Sequence, residues 1–132
     1  MVEKTSSSGS PNPNTSMGSL TVQVAESESA VPVPGALVTV TKENGSGISL
    51  QGVMTTDESG LTMPIELPAP PAGESLTPSV SLPYEIYYVR IFHPGYYTEE
   101  NHMVQIFGDS NSHLIINLIP LPEYPDKEVI MY

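Results

Sequence analysis

Apolar and polar residues alternate along most of the chain between positions 19 and 119. In residues 19–26, SLTVQVAE, Leu20, Val22 and Val24 share one side, while Thr21 and Gln23 share the other. A period of two marks a strand with one buried face. The same rule predicts a second strand over 36–43, with Ala36, Val38 and Val40 inward and Leu37 outward among Thr39 and Thr41. A third strand over 48–56 is expected to bend or bulge at Gly52. Between the first two strands stands Val31-Pro32-Val33-Pro34-Gly35. Its two prolines exclude a central strand and predict an extended crossover that turns at Gly35.

The stretch 53–67, VMTTDESGLTMPIEL, holds two short apolar runs joined by Asp57-Glu58-Ser59-Gly60. Asp and Ser start turns by bonding the backbone two residues on, and Gly accepts the backbone angles of a tight reversal. The expectation is a hairpin at the centre of the domain, its second arm, 61–67, forming the fourth strand. Pro64 lacks an N–H, which places that strand at a sheet edge. Residues 68–83 form the one long loop, with five of the 14 prolines. Residues 84–92, YEIYYVRIF, alternate Glu85, Tyr87, Val89 and Ile91 against Ile86, Tyr88, Arg90 and Phe92. A strand apolar on both faces is central, or one face meets another body. Strands over 102–107, with Val104 and Ile106 inward, and 113–119, with Leu114, Ile116 and Leu118 on one face, complete the set. Seven closely spaced strands with turn residues between them predict an all-β sandwich.

Composition adds the flanks. Residues 1–18 are rich in Ser, Thr, Pro and Gly, and read as a flexible arm before a domain at 19–122. Residues 123–132 form a tail whose last four, Val129, Ile130, Met131 and Tyr132, are apolar. The net charge is −11 with only four Lys and Arg, too few to neutralise a nucleic-acid backbone. Docking on an anionic membrane is disfavoured for the same reason. No apolar run approaches the ~20 residues of a membrane span. The first residues lack the apolar core of a signal peptide. The chain is thus expected inside the cell, or outside it by a route such as inclusion in a spore or particle. There is no cysteine, so no disulfide framework and no sign of redox compartment.

A resemblance emerges from the order of the motifs. VPGALVTV, TTDESGLTMPIELP, HPGYY and VQIFGDSNSHLIINLIPLP follow one another as in the transthyretin-like fold of carboxypeptidase regulatory-like domains. More narrowly, GVMTTDESGLTMPIELPAPP, HPGYYTEEN and IPLPE are similar to the non-catalytic module of clostridial spore cortex-lytic proteins and related Firmicutes proteins. That resemblance implies a seven-stranded transthyretin-like (prealbumin-like) β-sandwich with an accessory or structural role. A related pilin-type domain carries a Lys–Asn isopeptide, which needs a Lys in the first strand; residues 19–26 have none.

Catalytic and cofactor chemistry find no pattern. His93, His102 and His113 lack ligand-type spacing. Asp57 and Asp109 are explained by turn capping, and no calcium-loop motif is present. The Gly45-Ser46-Gly47 turn is not followed by the Lys and helix of a phosphate cradle. The expected function is a non-catalytic, structural or assembly subunit without cofactor. It would self-associate through sheet edges and terminal arms into a homo-oligomer, filament or particle. The candidate interface residues are Tyr88, Phe92, Val129, Ile130, Met131 and Tyr132, because aromatic residues and Met favour interfaces. The alternative is an accessory module that binds a partner protein or peptidoglycan beside spore or cell-wall lytic enzymes.

Overall fold

A computed structural model of the chain describes residues 16–71 and 82–122. The expected arm up to residue 15, the centre of the long loop, and the tail with Val129, Ile130, Met131 and Tyr132 lie outside the described residues. Seven strands follow one another: β1 (Ser16–Glu26), β2 (Leu37–Asn44), β3 (Gly47–Thr55), β4 (Ile65–Ala69), β5 (Tyr84–Phe92), β6 (Glu99–Phe107) and β7 (Asn111–Leu118). They form a three-stranded sheet, β4-β1-β7, and a four-stranded sheet, β3-β2-β5-β6. Among the described residues β1 and β7 pair parallel and the other strand pairs are antiparallel. The expected seven-stranded transthyretin-like β-sandwich is the observed fold. Among the described residues no helix is long and apolar enough to cross a membrane.

Alternation places the core where the sequence pattern puts it. Leu20, Val22 and Val24 from β1 face Val38 and Val40 from β2 and Tyr87, Val89 and Ile91 from β5, all fully buried. Each such side chain contributes about 1.5–3 kcal/mol relative to remaining exposed. β5 is central, flanked by β2 and β6. The Val31–Gly35 segment carries the chain from one sheet to the other, and Gly35 turns it at φ +74°. The bulge expected at Gly52 is present. Val40 pairs with Gly52 and Thr41 with Leu50, so Gln51 is the extra residue. A side chain at Gly52 would collide with the end of Ile65.

The hairpin over 53–67 does not form. β3 pairs with β2, and β4 pairs with β1 in the other sheet. The Asp57–Gly60 turn is real, with Asp57 Oδ1 accepting from Ser59 N–H at 2.8 Å and Leu61 N–H at 3.0 Å. It joins two sheets instead of two neighbours. Two buried threonines hold that crossing. Thr56 Oγ1 accepts from Ala36 N–H at 2.9 Å and donates to Val33 C=O at 2.6 Å. Thr62 Oγ1 accepts from Val22 N–H at 3.0 Å. Gly60 C=O accepts from Val24 N–H at 2.8 Å, which docks the turn on β1.

Two boundaries shift for local reasons. β1 begins at Ser16, not 19, because Ser16–Gly18 pair with Leu67–Ala69. The fourth strand runs over Ile65–Ala69, with only an isolated bridge at Leu61. Pro64 interrupts the pairing between them, since it has no N–H to offer. β4 does lie at a sheet edge, as expected.

Candidate functional site

The two outer faces of the sandwich differ in chemistry. The outer face of the β4-β1-β7 sheet is mostly polar. Ser19 Oγ donates to Asn111 Oδ1 at 2.6 Å, and His113 Nε2 lies 3.0 Å from Gln23 Oε1. The outer face of the β3-β2-β5-β6 sheet carries exposed apolar side chains interleaved with Thr39, Thr41, Thr55 and Arg90. The register aligns Leu50, Thr41, Tyr88 and Met103 in one row across all four strands. Parallel to it run Val53, Thr39 and Arg90, and then Thr55, Leu37 and Phe92. Leu50 is 61% exposed, Met103 56% and Phe92 40%. At one end Tyr84 and Phe107 pack edge to face, with ring centroids 5.4 Å apart. Arg90 Nε stands 3.7 Å from Glu100 Oε2, an exposed pair worth ~0–1 kcal/mol.

The candidate residues Tyr88 and Phe92 therefore share this outer face. Tyr88 sits half-buried in the middle strand and Phe92 sits exposed at the end of the same strand. Their neighbours Leu50, Val53 and Met103 were not legible as partners. They come from strands whose pairing is nonlocal, and alternation alone does not say which strands lie side by side.

The remaining polar groups are engaged locally. His93 Nδ1 lies 2.7 Å from Pro94 C=O, and its ring packs edge to face on Tyr96 at 5.5 Å. His102 Nε2 lies 2.9 Å from Glu99 Oε1. The three histidines stand on separate elements, and among the described residues no group of three or more His, Cys, Asp and Glu could hold a metal. Ser16 Oγ donates to Asp109 Oδ1 at 3.2 Å, and Asp109 N–H donates to Met17 C=O at 2.8 Å. Asp109 so closes the β6–β7 turn in the left-handed region, at φ +58°.

A cleft of about 600 Å³ lies between Glu26, Gly95, Tyr96, Pro120, Leu121 and Pro122. Ser29 Oγ donates to one oxygen of the Glu26 carboxylate at 2.5 Å, and Tyr96 OH donates to the other at 2.7 Å. These bonds, Ser29 first and Tyr96 second, hold the carboxyl below its ordinary range. The bond to Glu26 in turn raises the Tyr96 phenol. Both oxygens are thus committed to structure, and the carboxylate is poorly placed as an acid or nucleophile. No sequence signal links Glu26 with Tyr96, which stand 70 residues apart. Inside the sandwich, Tyr87 OH donates to Pro68 C=O at 2.5 Å and ties the two sheets. Burial, with Glu85 nearby, pushes the Tyr87 phenol up to about 12.

Fold and site together define a transthyretin-like β-sandwich whose four-stranded sheet, among the described residues, exposes several large apolar side chains on its outer face. No protein-family model and no curated protein matches the sequence. Solved structures do match in fold. An (S)-allantoin synthase is 16% identical, with a TM-score of 0.56, over 81% of this chain and 42% of its own. The group B streptococcus pilus 2b backbone protein is 15% identical, with a TM-score of 0.53, over 83% of this chain and 43% of its own. The Bacillus anthracis TIE protein is 20% identical, with a TM-score of 0.52, over 80% of this chain and 17% of its own. The chain spans less than half the length of these three. An enzyme and a pilus backbone protein share the fold, so the fold by itself assigns no activity.

Proposed function

We propose that the chain is a non-catalytic structural subunit that self-associates into a homo-oligomer or polymer. The observation that carries this reading is the outer face of the β3-β2-β5-β6 sheet, where, among the described residues, Leu50, Val53, Phe92 and Met103 are exposed and share a face with Tyr88. Large apolar side chains exposed together on one face can mark an interaction site. The net charge of −11 disfavours nucleic acid as the partner. The fold shared with a pilus backbone protein agrees with a polymerising role. In this reading the face and the sheet edges join subunits, and Val129, Ile130, Met131 and Tyr132 bridge from one copy to the next.

Light scattering and negative-stain microscopy across concentration test the reading. Regular assemblies that disappear in Tyr88→Asp, with circular dichroism unchanged, support it. A strict monomer of about 14 kDa at millimolar concentration would remove it. The second reading is an accessory module beside spore or cell-wall lytic enzymes, and it rests on the HPGYYTEEN and IPLPE motifs. Retention of a monomeric chain on purified sacculi would favour it.

A further inference from the structure

The four sheet edges are not equivalent. β4 is five residues long, contains Pro68 and follows Pro64. β3 carries the bulge at Gln51. β6 begins with Glu99 and Glu100, has Asn101 at φ +59°, and loses register against β5. Proline, charge and irregularity are the devices that block an edge from pairing. β7 has none of them. Its eight residues, NSHLIINL, hold no proline, Asp, Glu, Lys or Arg, and pair with β1 without a register shift.

The parallel ladder shows which groups of β7 are free. Ser19 N–H donates to Ser110 C=O at 2.9 Å, and Ser27 N–H donates to Leu118 C=O at 2.8 Å. With the register from Ser19↔Asn111 to Glu26↔Leu118, evenly spaced parallel bonding uses the backbone of Ser112, Leu114, Ile116 and Leu118 toward β1. The N–H and C=O groups of Asn111, His113, Ile115 and Asn117 then point away from β1. Among the described residues no strand pairs with that side. Leu114, although it faces the core, stays only partly buried.

We infer that the free edge of β7 accepts an added strand formed by Val129, Ile130, Met131 and Tyr132 of a neighbouring copy. The inference rests on the self-association proposed above and names its acceptor. Beyond β7 the chain does not double back at once. Tyr97 N–H donates to Ile119 C=O and Leu121 N–H to Gly95 C=O, both at 2.9 Å, so the chain is carried onto the turn after β5. From Pro122 the ten following residues reach up to about 33–36 Å when extended, enough to meet a second subunit. β-branched and aromatic residues such as Val129, Ile130 and Tyr132 fit a strand, and main-chain bonds to an open edge supply affinity.

Amide hydrogen exchange of the full chain, followed by NMR or mass spectrometry across concentration, tests this. The amides of His113, Ile115 and Asn117 should exchange at least about 100-fold more slowly at high than at low concentration, as expected of groups drawn into a ladder. Ile130→Asp should abolish that protection. Ile115→Pro removes only an N–H that points away from β1, so it should stay folded and fail to assemble. Protection that persists in Ile130→Asp assigns the edge to some other strand and overturns the inference. Protection independent of concentration means that the chain's own tail closes the edge, which also overturns it. Assemblies with unprotected β7 amides defeat the edge assignment and leave the subunit reading intact. A monomer with unprotected amides defeats both.

Discussion

Thr56 offers the sharpest quantitative test of what holds the two sheets in place. Its hydroxyl bonds Ala36 N–H and Val33 C=O across the crossing between sheets, and the residue is 5% exposed. Thr56→Val keeps the shape and leaves both backbone groups without a partner in a site that water does not reach. An unsatisfied buried donor or acceptor costs about 1–3 kcal/mol. Extra apolar surface returns at most about 0.8 kcal/mol, the value of one buried methylene. Two such groups, less that return, give an expected net loss of about 1–5 kcal/mol. For a domain of this size, that is roughly 5–25 °C in melting temperature. Urea unfolding is the assay, with the midpoint falling and the slope unchanged. Thr56→Ser retains the hydroxyl and should lose no more than about 1 kcal/mol, the size of a buried methyl. Thr39→Val on the outer face serves as control and should stay within about 0.5 kcal/mol, as surface changes usually do. A Thr56→Val protein as stable as the control would refute the reasoning.

Tyr87→Phe should destabilise by about 1–3 kcal/mol, because it strips Pro68 C=O of its donor. The raised Tyr87 phenol also sets an alkaline limit. The folded state holds that proton more tightly than the unfolded chain, so its stabilisation is complete below about pH 10 and is lost as pH rises toward about 12. Tyr87→Phe should flatten that loss in denaturation curves taken above pH 9. Glu26 acts in the opposite sense: with its carboxyl lowered, its contribution is present above the ordinary carboxylate range and is lost as pH falls through its depressed pKa. Tyr96→Phe should weaken this acid dependence, and an unaltered acid profile would count against the Tyr96–Glu26 bond. Gly60→Ala should cost about 2 kcal/mol or more, since Gly60 adopts φ +78° and a Cβ there meets the Val24 carbonyl oxygen. A thermal midpoint equal to wild type would show that the turn is not docked on β1.

The residues of the turns and strands declared their local roles. The side-chain period of a strand is two whatever its partner, so Leu20, Val22, Val24, Val38 and Val40 could be placed on one inward face before any pairing was known, whereas the two apolar faces of 84–92 could be separated but not assigned. Gly35 and Gly60 were legible as turn positions because their φ requirement is a property of a few neighbouring residues. Tyr88 and Phe92 were legible as sharing one face of an aromatic strand for the same reason; the tertiary structure turned that face outward. The tertiary structure decided what pairs with what. Asp57-Glu58-Ser59-Gly60 builds the same turn whether the flanking strands pair or part. Here it leads from one sheet to the other, because Thr56, Thr62 and Gly60 bond residues 20 to 40 positions away. The neighbours of Tyr88 on its outer face and the position of β7 at a sheet edge among the described strands belong to the same category. An edge is defined by the absence of a partner, and partners are chosen by long-range packing, not by the local alternation of the chain.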